Sequence, residues 1–155
     1  MLEWTRWLAV SFIVVLLDQA SKLQIVHALT EQGEVVLAPV FSLVLFYNEG
    51  AAFSFLNDAG GWQRGFFMLI AAAASVLILY LLKKHRGEIL YSFALSLILG
   101  GALGNLLDRI RIGHVVDFMD FHIAHHHFPA FNLADSAITL GAALLILESM
   151  RKGKS

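Results

Sequence analysis

Four long apolar stretches alternate with polar segments along the chain and predict four membrane-spanning helices. They cover about residues 7–26, 62–82, 89–107 and 131–147. Each has roughly the 17–25 residues that a helix needs to cross the hydrocarbon core of a bilayer. We therefore predict an all-α membrane protein, a four-transmembrane-helix bundle that forms a single domain over residues 1–155.

The composition agrees with a membrane protein and limits the available chemistry. Hydrophobic residues make up 58% of the chain, whereas about 45–50% is usual for soluble domains. The net charge of -1 gives no indication of a nucleic-acid partner. Because the sequence has no cysteine, disulfides, thiolate nucleophiles and cysteine-ligated metals are excluded. No sequence motif predicts a cofactor.

The distribution of basic residues predicts the topology. They cluster after the second and fourth apolar stretches, at Lys83, Lys84, Arg86, Arg151, Lys152 and Lys154. Residues 28–61 contain four acidic residues and neither lysine nor arginine. Under the positive-inside rule this pattern places both termini in the cytoplasm and residues 28–61 outside it. The end of span one, the end of span three and the start of span four then share the outer face.

The segment between spans one and two predicts a small β structure. Residues 35–47 are rich in valine, leucine and phenylalanine, are interrupted by Pro39, and predict one or two strands. Residues 48–53 follow with a turn signal and small residues. They indicate either a plain hairpin or a place where an extended partner approaches the backbone closely.

Charged and amide side chains converge at the predicted outer face. They are Asp18, Lys22, Asn105, Asp108, Arg109, Asp117, Asn132 and Asp135. Asp18 and Lys22 are four residues apart, which predicts an ion pair that either staples helices or belongs to a site. We interpret Asp108 and Arg109 as a structural or orienting ion pair. Ser92, Ser96, Gly100 and Gly104 form a small-residue stripe that predicts close packing of span three on another helix.

Asp117 and Asp135 are the candidate catalytic pair. Val115, Val116 and Phe118 surround Asp117 and would desolvate it. A polar stripe on span four contains Asn132, Asp135, Ser136 and Thr139, and its spacing directs it toward the bundle. If the two aspartates face one another across a water, one can act as the base while the other donates a proton. Asn132 or Asp135 could instead only cap the helix.

Two other kinds of site are weaker candidates. Ser21 and Lys22 are adjacent, so on a helix they point about 100° apart and make a poor dyad. His122, His125, His126 and His127 form a cluster that could bind a metal. Because these histidines lie beside Phe121 and Phe128, we favour an interfacial patch and predict no metal site.

Five separated motifs in this order resemble the lipoprotein signal peptidases, bacterial signal peptidase II. They are residues 18–22, 48–53, 101–109, 115–118 and 131–136. The resemblance implies peptide hydrolysis by an activated water, with Asp117 and Asp135 as the catalytic aspartates. It also implies a small extracytoplasmic β-cradle and a short amphipathic helix near residues 57–64.

The same resemblance implies roles for the other matched residues. Asn105, Arg109 and Asn132 would hold the dyad or contact substrate, as would Asn48 and Gly50. Asp18, Lys22 and Asp108 would be structural or orienting. The substrate would be a diacylglyceryl prolipoprotein, cut just before its lipid-modified cysteine. The enzyme would be a monomer of the bacterial inner membrane, in contact with membrane lipid, with its active site at the outer leaflet and no cofactor.

Two other functions compete with this interpretation. A small proton- or ion-coupled transporter could use the same carboxylates as a relay. However, the cytoplasmic halves of spans two to four are nearly free of charge. A structural subunit or lipid-binding module would need neither aspartate.

Overall fold

Four helices and a four-stranded antiparallel sheet make up the fold. The computed structural model describes residues 4–50, 61–85 and 87–153. In chain order the elements are α1 (Thr5–Gln32), β1 (Val35–Ala38), β2 (Phe41–Asn48), α2 (Trp62–Lys84), α3 (Ile89–Arg111), β3 (Val115–Ile123), β4 (His126–His127) and α4 (Leu133–Lys152). All four helices are long and apolar enough to span a membrane. The predicted four-helix bundle with a small sheet is confirmed.

The central helix of the bundle is α3, which packs against α1, α2 and α4. Half of the most apolar 18-residue stretch of α3 is buried, compared with 11–17% of the corresponding stretches in the other three helices. The other helices expose large apolar side chains such as Phe12, Leu69 and Ile146, as expected of surfaces that face lipid. The positions around α3 therefore decide how the bundle is held together.

Small residues on α3 allow this close packing, as the sequence predicts. A Cβ added at Gly104 would lie 2.6 Å from Asp18 Oδ2, and one added at Gly100 would lie 2.6 Å from Val14 Cβ. Ser11 Oγ donates to the carbonyl of Ser96 at 2.9 Å. The stripe thus seats α1 directly on α3.

The two ends of the bundle differ in chemistry. A cluster of buried apolar side chains fills the end that carries the chain termini; its members are Trp7, Ile78, Leu82, Leu95 and Leu99. The polar residues that the sequence predicts to converge lie at the opposite end, on the second half of α1, the end of α3 and the start of α4. The chemistry is therefore expected at that opposite end.

The sheet caps this polar end and is larger than predicted. Its strand order is β1-β2-β3-β4, and Asp117 on β3 pairs in register with Phe46 on β2. Residues 35–47 form two strands separated near Pro39, in agreement with the sequence. Strands β3 and β4 lie within residues 115–127, for which the sequence analysis predicts no strand.

The helix ends differ from the predicted ones by a few residues. α1 continues to Gln32 and α3 to Arg111, whereas α4 begins at Leu133 rather than at Phe131. Phe131 instead bridges to Met119 of β3. The amphipathic helix expected near residues 57–64 lies mostly outside the described residues, as do residues 51–53 of the second motif, Arg86 and Lys154; residues 62–64 begin α2.

Candidate active site

Asp117 and Asp135 lie on different elements and open into the same cavity. Asp117 is on β3 and is only 1% exposed, while Asp135 is in the first turn of α4. The cavity has a volume of about 720 Å³. Among the residues that the structure describes, these two supply the only carboxylates that line it.

Asn132 connects the two aspartates. Its side-chain Nδ2 donates to Asp117 Oδ1 at 2.7 Å, and its backbone N–H donates to Asp135 Oδ2 at 3.3 Å. Its Oδ1 accepts from the backbone N–H of Asp135 at 3.0 Å, which completes a capping box at the start of α4. The sequence left open whether Asn132 caps the helix or belongs to the site. In the structure Asn132 does both.

Two further amides fix the remaining carboxylate oxygens. Asn48 Nδ2 donates to Asp117 Oδ2 at 2.9 Å, and Asn105 Nδ2 donates to Asp135 Oδ1 at 2.8 Å. Every oxygen of the pair thus accepts at least one amide hydrogen bond, which sets the orientation of both carboxylates without bringing a cation against them.

Burial changes the acidity of Asp117. Desolvation raises the pKa of its carboxyl to about 7, above the ordinary value of 3.8, although the hydrogen bonds from Asn48 and Asn132 act in the opposite direction. Near neutral pH this carboxyl can therefore hold or release a proton, which is what general acid–base catalysis requires.

A buried ion-pair cluster lies behind the two amides. Lys22 Nζ contacts Asp18 Oδ2 at 2.9 Å and Asp108 Oδ2 at 2.8 Å, and it donates to Asn105 Oδ1 at 2.9 Å. Asp18 and Asp108 thus share one cation, and neither lines the cavity. The predicted Asp18–Lys22 pair is confirmed, and Asp18 also accepts from the backbone N–H of Ala134 at 3.0 Å.

The predicted Asp108–Arg109 ion pair was wrong. Adjacent residues on a helix point in different directions, and here Asp108 turns toward Lys22. Arg109 instead donates to the carbonyl of Gly50 at 2.8 Å, and its guanidinium lies 5.2 Å from the ring centre of Phe67. Arg109 therefore holds the segment after β2 against the cavity.

The apolar wall of the cavity was not predicted from the sequence. It is formed mainly by the segment before α4 and by the first turns of that helix, at Phe128, Pro129, Ala130, Phe131, Ile138, Leu140 and Ala143. Ser136 and Thr139 line it as well, but Thr139 is exposed rather than turned into the bundle. Gln19 was also missed; it donates to Asp108 Oδ1 at 2.8 Å, and its position beside Asp18 was the available signal.

Comparison with known proteins identifies the family. A sequence model described as Signal peptidase (SPase) II matches residues 10–151. The chain belongs to the signal peptidase II family. The lipoprotein signal peptidases of Paraburkholderia phymatum and Burkholderia vietnamiensis are each 53% identical over 146 residues, which are 94% of this chain and 88% of each relative.

Solved structures agree with this membership. One, described as a bacterial membrane enzyme structure obtained by the in meso method, has a TM-score of 0.83 at 31% identity and covers 96% of this chain and 90% of its own. A second of the same description has a TM-score of 0.80. The chain is thus a multi-pass bacterial membrane protein and a signal peptidase II type aspartic endopeptidase, and the transporter alternative is not supported.

Proposed function

We propose that Asp117 and Asp135 together activate one water molecule and hydrolyse the peptide bond before the lipid-modified cysteine of a diacylglyceryl prolipoprotein. The observation that carries this proposal is that the two carboxylates share one cavity and are joined by Asn132. The neighbouring buried acids Asp18 and Asp108 are instead paired with Lys22.

The pair can supply both an acid and a base. The water oxygen attacks the scissile carbonyl carbon while one carboxylate accepts a proton from that water. The other carboxyl group donates a proton to the carbonyl oxygen. The tetrahedral species then collapses: the C–N bond breaks and a proton passes to the leaving nitrogen. No covalent enzyme intermediate forms.

The walls of the cavity suit a substrate with both a lipid and an extended peptide. Ile138, Leu140 and Ala143 follow Asp135 along α4, line the cavity and offer apolar surface to acyl chains. Asn48 and Gly50 line the cavity beside Asp117, and we assign them to peptide contact.

The peptide is best held by the end of β2. Over residues 41–43 this strand pairs with both β1 and β3, so neither of its sides is open to a substrate there. Among the described strands, residues 46–47 pair with β3 and not with β1. We assign the backbone pairing with an extended substrate to these residues.

The basic clusters support an orientation with both termini in the cytoplasm. Lys83 and Lys84 end α2, and Arg151 and Lys152 end α4, all at the end opposite the aspartates. The positive-inside rule then places the catalytic pair at the outer leaflet of the inner membrane. A substrate anchored there by its acyl chains brings its scissile bond to the interface.

We take the enzyme to act as a monomer, since both aspartates come from one chain.

Replacement of each aspartate by asparagine tests the proposal. Asp117→Asn and Asp135→Asn should each lower the cleavage rate of a diacylglyceryl prolipoprotein by about 10²–10⁴-fold. Glu31→Gln is the matched control, because Glu31 is exposed at the end of α1 and lies outside the cavity. A normal rate in either aspartate variant would remove that residue from the mechanism.

A further inference from the structure

The β3–β4 hairpin carries a compact group of metal-ligating side chains. Asp120, His122 and His127 each place one ligand atom within 4.8 Å of the others. Asp120 and His122 are two residues apart on β3, and His127 is the cross-strand partner of His122. The three side chains therefore lie on one face of the sheet. Asp117 lies three positions before Asp120 on β3, and successive residues of a strand point to opposite faces. Asp117 therefore reaches the cavity from the opposite face of the sheet.

The histidine run that the sequence treats as one cluster is divided by the hairpin. His125 lies in the turn, and His126 pairs with Ile123. Successive residues of a strand point to opposite faces, so His126 and His127 are directed apart. The structure replaces the four-histidine cluster with a group of two imidazoles and a carboxylate that has a defined geometry.

The distances suit a tetrahedral ion. With metal–ligand bonds of about 2.0–2.2 Å, two ligand atoms of a tetrahedral zinc site lie roughly 3.4 Å apart. His122 Nδ1 and Asp120 Oδ2 are 3.4 Å apart. His127 Nδ1 is closer to the same oxygen, at 2.7 Å, which is a hydrogen-bond distance. His127 is on a two-residue strand and its side chain is 55% exposed, so it can move by the ~0.7 Å that separates its present distance from the tetrahedral one.

The surroundings of Asp120 are incompletely satisfied without an ion. His122 Nδ1 is buried and makes no hydrogen bond within the described structure, despite its proximity to Asp120. Ser42, the register partner of Asp120 on β2, also has a buried hydroxyl without a partner there. Buried polar atoms normally have partners, because leaving them unpaired costs free energy. A metal ion would use the free lone pair of His122.

From this geometry we infer a binding site for a borderline divalent cation such as Zn²⁺ at Asp120, His122 and His127, with water in the fourth position. Two imidazoles and one carboxylate suit Zn²⁺ and its neighbours in the first transition row, whereas Mg²⁺ and Ca²⁺ prefer all-oxygen sites. The ion would join β4 to β3 immediately before residues 128–131, which form the apolar wall of the cavity. It therefore stabilises the hairpin and takes no part in the hydrolysis.

Zn²⁺ binding to the purified full-length enzyme tests the site. The protein is prepared in detergent without a polyhistidine tag, stripped with a chelator, and titrated with Zn²⁺ in competition with a colorimetric indicator. We expect about one equivalent per chain and a higher thermal unfolding midpoint when Zn²⁺ is present. Asp120→Asn and His127→Ala should each weaken binding by more than about tenfold, the loss that follows even from removing an outer-shell partner.

His126→Ala is the matched control, since it removes a neighbouring imidazole directed to the other face. It should bind Zn²⁺ as the wild type does. If Asp120→Asn does not fold, His127→Ala decides the question, because the His127 side chain is largely exposed. The site is overturned if the wild type binds no Zn²⁺, if Mg²⁺ competes equally, or if His126→Ala loses as much affinity as His127→Ala.

Discussion

Asn132 donates its side-chain amide to Asp117 at 2.7 Å and uses the oxygen of the same amide to cap the helix that carries Asp135. One buried side chain therefore sets the position of β3 relative to α4. Because the two aspartates are on separate elements, their separation depends on this link more than on either element alone.

Substitution of Asn132 should separate the capping role from the site role. Serine also caps helices well, but it is too short to donate to Asp117. Asn132→Ser should keep the helix cap and lose about 10²-fold in cleavage rate, the cost of a small misplacement of catalytic groups. Asn132→Ala should lose a similar activity and a further ~1 kcal/mol of stability. Near-normal cleavage by Asn132→Ser would show that the link to Asp117 is dispensable.

Lys22 should be a major source of stability in the bundle. Its side chain is 4% exposed and forms ion pairs with both Asp18 and Asp108. Lys22→Met leaves two buried carboxylates without a cation, which should cost about 3–5 kcal/mol, measured by thermal unfolding in detergent.

Two further variants give the Lys22 experiment its controls. Arg111→Met removes an exposed cation that contacts Gln19, and we expect a change below ~1 kcal/mol. Adding Asp108→Asn to Lys22→Met should restore part of the lost stability by removing one uncompensated charge. Equal effects of Lys22→Met and Arg111→Met would contradict the buried cluster.

A methyl group at Gly104 should disturb the contact between α1 and α3. The added Cβ would lie 2.6 Å from Asp18 Oδ2, a buried atom that cannot move away freely. Gly104→Ala should destabilise the protein by about 1–3 kcal/mol, as overpacking does. Gly65→Ala is the control: nothing lies within 4 Å of its Cβ position, and alanine favours a helix by up to about 1 kcal/mol. Thermal unfolding should rank the two variants on opposite sides of the wild type.

The pH dependence of stability should carry the signature of Asp117. Its pKa is raised by burial to about 7, so between about pH 4 and 7 the folded chain retains a proton that the unfolded chain has released. The free energy of unfolding therefore falls as pH rises through this range and levels off above it. The fall attributable to Asp117 is up to about 4 kcal/mol, since each pKa unit corresponds to about 1.4 kcal/mol.

Unfolding midpoints of the wild type and Asp117→Asn between pH 4 and 8 measure this contribution. The difference between the two curves should change across the range and be constant above about pH 7. Parallel curves over the whole range would mean that the acidity of Asp117 is the same in the folded and unfolded chains.

The sequence was sufficient to predict the four spans because a helix in lipid must be apolar over a long, continuous stretch. It was less informative about their ends. α1 continues to Gln32 beyond the apolar stretch, through His27 and Glu31, because a helix can extend past the hydrocarbon into polar surroundings. Hydropathy marks the membrane boundary and not the last helical residue.

Strand β3 could not be predicted because it lacks the alternation that marks a half-buried strand. Its first four residues, Val115 to Phe118, are all buried, since one face turns to the cavity and the other to the bundle. Such a run has no period of two.

The partners of Lys22 were predictable only in part: Asp18 is one helical turn away, but Asp108 is brought to it by the packing of α3.

The rate of a double variant tests the catalytic pair most directly. If Asp117 and Asp135 act together on one water, Asp117→Asn and Asp135→Asn should each reduce cleavage by about 10²–10⁴-fold, and the double variant should be no slower than the slower single variant, because residues that act as a unit are not additive. If the two losses instead multiply, the aspartates act independently, and the shared-water mechanism is contradicted.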